Sequence, residues 1–271
     1  MPTRRRNGAT TWVRRDRGVQ SVIWATWLAG AATLAYCCAL ISDRTIWSFV
    51  LDAPAQAADL AMRMLPPDWA FIRMIWRPLW DTINMATLGT ALAILLAVPV
   101  AYCAARNTTP SIALVRPVAL FVIVSSRSIN ALIWALMLVT IIGPGLLAGI
   151  LAIALRSIGF CAKLLYEAIE EIDQRQVEAV RATGASRAQV TAYGVVPQVL
   201  PAFAGISVFR WDINIRESTV LGLVGAGGLG LPLNAAITTL AWTRVSLILL
   251  IIIATVVVSE WVSAKVRHAI T

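Results

Sequence analysis

Charged side chains inside an otherwise apolar stretch are the residues of this sequence best placed to act on a polar ligand. The stretch FRWDINIRESTVLG contains Arg210, Asp212, Arg216 and Glu217. A charge within a bilayer is costly, so such residues usually face a protein interior or a wet cavity and have partners there. Because Asp212 and Arg216 are spaced i,i+4, they are predicted to form an internal ion pair. Arg210, Asn214 and Ser218 share another helical stripe.

A second polar stretch, VSSRSIN, surrounds Arg127. An anion that crosses apolar surroundings needs a compensating positive charge, and arginine keeps its charge where lysine can lose it. Arg127 is therefore the first candidate for a substrate pathway, and the alternative is an arginine that snorkels or forms a structural ion pair. Glu217 is predicted to meet Arg127 across the helix bundle. The predicted pathway residues are Ser126, Arg127, Asn130, Asp212, Asn214, Arg216, Glu217 and Ser218.

The composition indicates a membrane environment. Of the 271 residues, 59% are hydrophobic and 14% are charged, and the mean hydropathy is +0.76, whereas about one quarter of the residues of soluble domains are charged. The apolar runs are close to the length of about twenty residues that a helix needs to cross about 30 Å of hydrocarbon. Because lipid offers the backbone no hydrogen-bond partners, these runs predict an all-α integral membrane protein.

About six transmembrane helices are predicted, at 21–41, 82–105, 117–141, 145–162, 200–224 and 245–262. Both termini then face the same side of the membrane. When that side is the cytoplasm, the external basic residues are only Arg44, Arg63, Arg73, Arg77 and Arg244, out of 23 Lys and Arg residues. This distribution follows the positive-inside rule. The basic residues that flank the spans also account for the net charge of +9. A nucleic-acid partner is therefore not expected.

The predicted segments are a basic cytoplasmic tail 1–20, an N-terminal anchor 21–41, an external segment 42–81, a transmembrane core 82–262 with a cytoplasmic loop 163–199, and a cytoplasmic tail 263–271. Trp69, Trp76 and Trp80 of the external segment are typical of a belt at the membrane interface. The alternative is a surface on which a partner docks.

The loop 163–199 is polar but does not have the composition of a disordered linker. Its Ala, Glu, Gln and Arg residues favour helix, and Gly184 separates two helix-forming stretches where a sharp turn needs positive φ. Pro197 and Pro201 mark the return to the membrane. Two short helices around a turn are predicted. From composition alone, a docking element and an ordinary surface loop are equally compatible with this pattern.

The loop resembles the coupling loop of bacterial ABC-importer permeases, whose signature is Glu-Ala-Ala, three residues, Gly, nine residues and Ile-x-Leu-Pro. The corresponding residues here are Glu178-Ala179-Val180, Gly184 and Gly194-Val195-Val196-Pro197. The spacing is kept, and Val180, Gly194 and Val196 depart from the signature. In that family the loop inserts into a cleft of the ATP-hydrolysing subunit. The resemblance implies these ATPase-coupling residues: Glu178, Ala179, Arg181, Gly184, Ser186 and Pro197.

Residues 66–234 are similar to the phosphonate branch of that family, in LGTALAILLAVPVAYCAARN, GFCAKLLYEAIEEID and STVLGLVGAGGLG among others. This similarity implies the type I ABC-importer permease fold, a multi-pass subunit of the bacterial inner membrane, and a phosphonate or related phosphorus oxyanion as cargo. The implied partners are a second copy of the chain, an ABC ATPase dimer and an extracytoplasmic binding protein. ATP and Mg would bind the ATPase, and no cofactor is expected in this chain.

The stretch GAGGLG, 225–230, matches the G-x-G-x-x-G pattern of dinucleotide-binding folds, but that pattern requires a preceding strand. Here a membrane span precedes it, so a flexible or close-packed turn is predicted.

Two other functions remain. An ion-coupled secondary transporter of small anions would use Glu217 and Asp212 as ion sites, but would not need a coupling loop.

A membrane-embedded enzyme is the third possibility, but His268 is the only histidine and no nucleophile or metal constellation accompanies it. The sequence also contains no G-x-x-x-x-G-K-[ST] motif, so ATP hydrolysis is assigned to a separate subunit and the chain is not predicted to be an enzyme.

The cysteines are expected to be small buried hydrophobic residues without a metal site: Cys37, Cys38, Cys103 and Cys161.

Overall fold

The computed structural model describes residues 3–6, 9–12 and 17–270. The chain divides into two compact units, Met1–Ala61 and Met62–Thr271. In the first unit, strand β1 (Thr3–Arg6) pairs antiparallel with β2 (Ala9–Trp12). Helix α1 (Arg17–Arg44) follows and contains the predicted N-terminal anchor, and most of helix α2 (Trp47–Arg63) also belongs to this unit.

The second unit is helical. Its helices are α3 (Ile72–Ala104), α4 (Val115–Ser128), α5 (Ala131–Ile142), α6 (Leu146–Glu170), α7 (Gln174–Ala182), α8 (Arg187–Val190), α9 (Val196–Leu221), α10 (Gly230–Thr238) and α11 (Trp242–Ile270). Short 3-10 turns precede α3 (Trp69–Phe71) and follow α9 (Gly222–Val224), and a π-helical turn (Thr191–Val195) joins α8 to α9.

Five helical stretches of the described chain are long and apolar enough to cross a membrane, and a bent pair raises the number to six. This confirms the predicted class, an all-α membrane protein with about six spans. The bent pair is α4 and α5, which meet at 89° within the third predicted span, 117–141. Asn130 lies at the bend, where its side-chain oxygen accepts a hydrogen bond from the backbone N–H of Leu132 at 3.2 Å and caps α5.

Three helices differ from the pattern predicted by hydropathy. Helix α3 begins at Ile72, although residues up to 81 were assigned to the external segment, because Arg73 and Arg77 lower the hydropathy of a stretch that is nevertheless helical. Helix α10 forms between the fifth and sixth predicted spans, where no helix was predicted. Helix α6 continues beyond the predicted end of the fourth span as far as Glu170.

Helix α6 occupies the centre of the second unit, and small residues let its neighbours approach closely. A Cβ at Gly89 of α3 would lie 2.8 Å from Cγ2 of Ile153, and a Cβ at Gly159 of α6 would lie 2.5 Å from the backbone oxygen of Ile123 in α4. Ser126 ties the same two helices together, since its Oγ donates to the backbone oxygen of Leu155 and accepts from the N–H of Gly159. Close approach through small residues is a common basis of membrane helix packing.

The glycine-rich stretch after α9 is a close-packed turn, as predicted. Gly225, Gly227 and Gly228 have φ values of +88°, +96° and +69°, which side-chain-bearing residues rarely adopt. A Cβ at Gly228 would lie 2.6 Å from Oγ1 of Thr82, and that same hydroxyl accepts a hydrogen bond from the N–H of Leu229 at 2.8 Å. A helix rather than a strand precedes the turn, so its resemblance to a dinucleotide-binding motif is accidental.

The packing of α6 against α4 predicts unequal effects for two helical glycines. Gly159→Ala must push α4 away and is expected to destabilise the protein by about 1–3 kcal/mol. Gly205→Ala in α9, where no atom lies within 4 Å of the added methyl, is expected to leave stability unchanged or slightly raised. Melting temperatures of the two variants in detergent measure the difference. Equal melting temperatures would contradict this account of the α4–α6 contact.

Candidate functional site

Two arginines and one glutamate from two helices form a cluster inside the bundle, here called the arginine bridge: Arg156 of α6 with Arg210 and Glu217 of α9. Arg156 lies 3.0 Å from Oε1 of Glu217, and Arg210 lies 3.3 Å from Oε2. One carboxylate therefore joins two guanidinium groups, and the cluster keeps one unit of uncompensated positive charge.

Arg210 is held in place by neutral partners. Its Nε donates to Ser157 at 2.9 Å, Ser157 donates to the side-chain oxygen of Asn214 at 3.2 Å, and Asn214 donates to Thr90 of α3 at 2.7 Å. The guanidinium also lies over the ring of Phe160, 5.0 Å from its centroid. Arg210 is 2% exposed and Asn214 is fully buried. This hydrogen-bonded row links α3, α6 and α9 and fixes the orientation of Arg210.

The two arginines of the bridge lie in the interior of their helices. Fourteen residues separate Arg156 from the end of α6 at Glu170, and the same number separates Arg210 from the start of α9 at Val196. At 1.5 Å per residue each distance is about 21 Å. Both arginines therefore lie within helical stretches that are long and apolar enough to cross a membrane, where an unpaired charge is costly.

The predicted ion pair between Asp212 and Arg216 is confirmed. The two side chains are in direct contact, and Ser259 of α11 donates to the other oxygen of Asp212 at 2.8 Å. The Asp212 side chain is buried, while that of Arg216 is half exposed. This pair ties α9 to α11 and forms no hydrogen bond or ion pair with the arginine bridge.

The predicted contact between Glu217 and Arg127 is wrong. Glu217 bonds to Arg156 and Arg210 instead, and the structure records no ion pair for Arg127 in the part of the chain that it describes. Arg127 lies exposed in the last turn of α4, beside the bend at Asn130. The sequence analysis did not select Arg156, although a single arginine within the apolar run ILAIALRSIGF could have been recognised by the same criterion as Arg127.

The remaining predicted pathway residues occupy different environments. Ser126 binds the backbone of α6, as described above, and Ser218 is fully buried and donates to the backbone oxygen of Ile215 at 2.7 Å. Asn130 is exposed, and its side-chain oxygen lies 3.5 Å from Nη1 of Arg156. The structure therefore brings together Asn130, Asn214 and Glu217 around Arg156 and Arg210, whereas Asp212 and Arg216 form a separate pair.

The coupling loop consists of two short helices around a turn, as predicted. Helix α7 ends at Ala182, Gly184 turns the chain with a φ of +79°, and α8 begins at Arg187. Ser186 caps α8 through a reciprocal capping box with Gln189, a pattern that the letters SRAQ already display. The predicted coupling residues are exposed on this loop and at the start of α9: Glu178, Ala179, Arg181, Gly184, Ser186 and Pro197.

The coupling loop is attached firmly to the membrane helices. Gln198 of α9 accepts from the backbone N–H of Asp173 at 2.9 Å, and the amide of Gln198 donates to the oxygen of Gly194 at 2.7 Å. Gly194 departs from the family signature, and a Cβ there would lie only 3.3 Å from Cα of Val177 in α7. The glycine thus lets the π-helical turn pack directly on α7.

The same loop contacts the connection between α3 and α4. Glu170 at the end of α6 accepts from the backbone N–H of Arg106 at 2.9 Å and lies 3.5 Å from Arg116 of α4. Asn107 donates to the oxygen of Ile169 at 2.6 Å. The ends of α3 and α6 and the starts of α4 and α9 therefore meet beneath the two short helices.

The cysteines show no arrangement for metal binding: no group of three metal-ligating side chains occurs among the described residues. Cys161 is buried and Cys103 is partly buried, but Cys37 and Cys38 are exposed, so the prediction of burial is wrong for these two. They lie on α1, which has no buried side chain in its described part.

The fold and the exposed coupling loop are those of a transport permease, and comparison with known proteins supports this class. The chain belongs to the family described as binding-protein-dependent transport system inner membrane component, whose model matches residues 89–270. It is 41% identical over 218 residues to the phosphite transport system permease protein PtxC of Stutzerimonas stutzeri, covering 80% of this chain and 79% of PtxC.

A second relative is the phosphate-import permease protein PhnE of Mycolicibacterium smegmatis, 40% identical over 222 residues, which are 81% of this chain and 41% of PhnE. Among solved structures, the MetNI methionine ABC transporter in an inward-facing conformation shares the fold, with a TM-score of 0.65, 21% identity and coverage of 75% of this chain and 99% of that chain. The predicted type I ABC-importer permease fold is confirmed.

The buried hydrogen-bonded row predicts a stability cost for the loss of Asn214. Asn214→Leu removes two side-chain hydrogen bonds and is expected to destabilise the protein by about 1–2 kcal/mol. Asn234→Leu on the exposed face of α10 is the matched control and should change stability little. The melting temperatures in detergent provide the comparison, and an unchanged value for Asn214→Leu would show that the row does not hold the three helices together.

Proposed function

We propose that this permease is the membrane subunit of an ATP-driven importer that moves a phosphonate, phosphite or phosphate ion across the bacterial inner membrane by alternating access. The observation that carries the proposal is the coupling loop, which presents two short helices and a glycine turn to solvent while its base is bonded to the membrane helices. An exposed pair of helices held in one position can fit a cleft on another protein. An ordinary linker would not need the hydrogen bonds that hold the base of this loop to the membrane helices.

The choice of cargo rests on the site and on the relatives. The arginine bridge supplies one uncompensated positive charge between two spanning helices, and Arg127 adds another on the exposed surface of α4. An anion benefits from this field, whereas a cation would be repelled. The names of the two relatives reported above refer to phosphite and phosphate transport, so a small phosphorus oxyanion is the cargo that agrees with both.

A second copy of the chain is part of the proposal. Arg127, Ser128 and Asn130 are exposed within a spanning segment, and Arg156 is 30% exposed beside them. Polar side chains at this depth are rarely left against lipid. A second copy facing this surface would enclose them in a polar pathway between the two subunits.

Energy would come from a separate ATPase dimer that binds ATP and Mg and receives the coupling loops. Since the loop lies between α6 and α9, its displacement would act on the two helices that carry the arginine bridge. The loop and both termini would then be cytoplasmic, in agreement with the distribution of basic residues. An extracytoplasmic binding protein would deliver the cargo at the other face.

The alternative of an ion-coupled carrier requires carboxylates that are free to bind a proton or cation. Asp212 is engaged by Arg216 and Ser259, and Glu217 is engaged by two arginines. Neither carboxylate is free in this conformation, which favours the importer.

The proposal predicts that a bulky residue at the tip of the coupling loop abolishes recovery of the ATPase. Gly184→Trp should keep the fold, because no atom lies within 4 Å of the position of its Cβ, although φ of +79° adds strain. It should fill the contact surface, so an ABC ATPase that co-purifies with the wild-type chain in mild detergent should be lost.

Gly143→Trp is the matched control, since Gly143 also has positive φ and open space around it but precedes α6 at the end opposite the coupling loop. This variant should still recover the ATPase. If a stable wild-type chain recovers no ATPase, the importer assignment fails and the ion-coupled carrier becomes the leading interpretation. If Gly184→Trp recovers as much ATPase as wild type, the contact lies elsewhere.

The proposed pathway also predicts an effect of charge at Arg127. Arg127→Gln should lower ATP-dependent uptake of radiolabelled phosphite into proteoliposomes about tenfold, equivalent to about 1.4 kcal/mol, while Arg127→Lys should retain most of the uptake because the positive charge remains. Both variants should still recover the ATPase. Equal uptake by wild type and the glutamine variant would remove Arg127 from the pathway.

A further inference from the structure

We propose that Glu217 is an internal counter-ion that occupies the cargo site, and that the transported oxyanion replaces it between Arg156 and Arg210. This inference rests on the proposed function and adds to it the residues that bind the cargo. Arg156 and Arg210 are the binding residues, Asn130 at the start of α5 borders the site, and Glu217 competes with the cargo.

The geometry of the bridge is that of an anion held by two donors. Each oxygen of Glu217 faces a different guanidinium, with separations of 3.0 Å to Arg156 and 3.3 Å to Arg210. Arginine recognises carboxylates and phosphates through the same charge-assisted hydrogen bonds. Two oxygens of a tetrahedral oxyanion can therefore take the places of the two carboxylate oxygens without a new set of donors.

The bend between α4 and α5 adds a further element to the site. Asn130 caps the twelve-residue helix α5, and its oxygen lies 3.5 Å from the same Nη1 atom of Arg156 that contacts Glu217. The N-terminus of α5, which is the positive end of its dipole, thus lies beside the bridge. Broken membrane helices whose N-termini point at the anionic group of a substrate are a known arrangement in transporters.

The two arginines have different surroundings, and this difference gives the site a closed side and an open side. Arg210 is buried, bonded to Ser157 and covered by Phe160. The Arg156 side chain is 30% exposed and that of Glu217 is 18% exposed. An ion can approach from the side of Arg156, which adjoins the exposed Asn130, and Glu217 can swing away on that side.

The charge balance gives Glu217 a role in release. Without Glu217 the two arginines would carry two positive charges and would hold a divalent oxyanion too firmly to let it leave. With Glu217 in place, one charge remains and the site is satisfied when empty. The carboxylate also repels an oxyanion bound beside it, so its return favours release.

Neutralising Glu217 tests the inference directly. The complete chain, purified in detergent with its ATPase, is dialysed to equilibrium against radiolabelled inorganic phosphate, and phosphite, methylphosphonate and sulfate are added as competitors. Glu217→Gln should bind phosphate on the order of tenfold more tightly than wild type, because the competing state is removed. Adding Arg156→Gln to Glu217→Gln should abolish the gain.

Glu167→Gln is the matched control, because it also removes one negative charge. Glu167 lies on α6, away from the bridge, and is paired with Lys163. Its phosphate affinity should equal that of wild type. The melting temperature supplies a second readout: phosphate should raise that of Glu217→Gln more than that of wild type, whereas chloride at equal ionic strength should not.

Each result decides between binding and a purely structural ion pair. If Glu217→Gln is folded and its phosphate affinity is unchanged, the counter-ion role is wrong. If Glu217→Gln does not fold, Arg156→Gln alone decides, since it should weaken phosphate binding at least about tenfold, and unchanged binding would overturn the inference.

Wild-type complex that retains its ATPase and transports phosphite while Glu217→Gln shows no gain would refute the inference and leave the proposed function standing. Wild-type complex that binds and transports none of the three phosphorus oxyanions, phosphate, phosphite and methylphosphonate, would refute the proposed cargo itself.

Discussion

A charge buried among membrane-spanning helices must find a partner, and this requirement shapes the helical core of the second unit. Arg210 is buried where no water can solvate it, and Glu217 neutralises it while Arg156 shares the same carboxylate from another helix. The contact is possible only if α6 and α9 lie side by side. Glycines on α3 and α6 let α3 and α4 pack closely against α6, and the row from Ser157 through Asn214 to Thr90 sets the orientation of the buried guanidinium.

The same two helices connect the bridge to the coupling loop. About 21 Å of continuous helix separates Arg156 from the end of α6 and Arg210 from the start of α9, and the loop between them is bonded to both. A movement of the loop therefore reaches the bridge through two rigid elements rather than through a flexible chain. In the proposed importer, an ATPase bound at the loop would act on the bridge through these two helices.

Short-range features were predictable from the sequence and long-range contacts were not. The turn at Gly184, the two short helices and the Asp212–Arg216 pair follow from composition and from i,i+4 spacing. The partner of Glu217 could not be found in this way, because it depends on the packing of α6 against α9 and on the bend at Asn130, which leaves Arg127 exposed. Arg73 and Arg77 concealed the start of α3 from the sequence pattern. Both are exposed residues of this helix, and their charges lower the average hydropathy of its first turns.

The central claim, that the arginine bridge is both the structural centre of the bundle and the place where cargo binds, is tested most directly by a structure of the assembled transporter with phosphite trapped inside. The account predicts density for a tetrahedral ion within hydrogen-bond distance of Arg156 and Arg210, with Glu217 turned away from both. Density for the ion elsewhere in the pathway, with the Arg156–Glu217–Arg210 contacts intact, would contradict it.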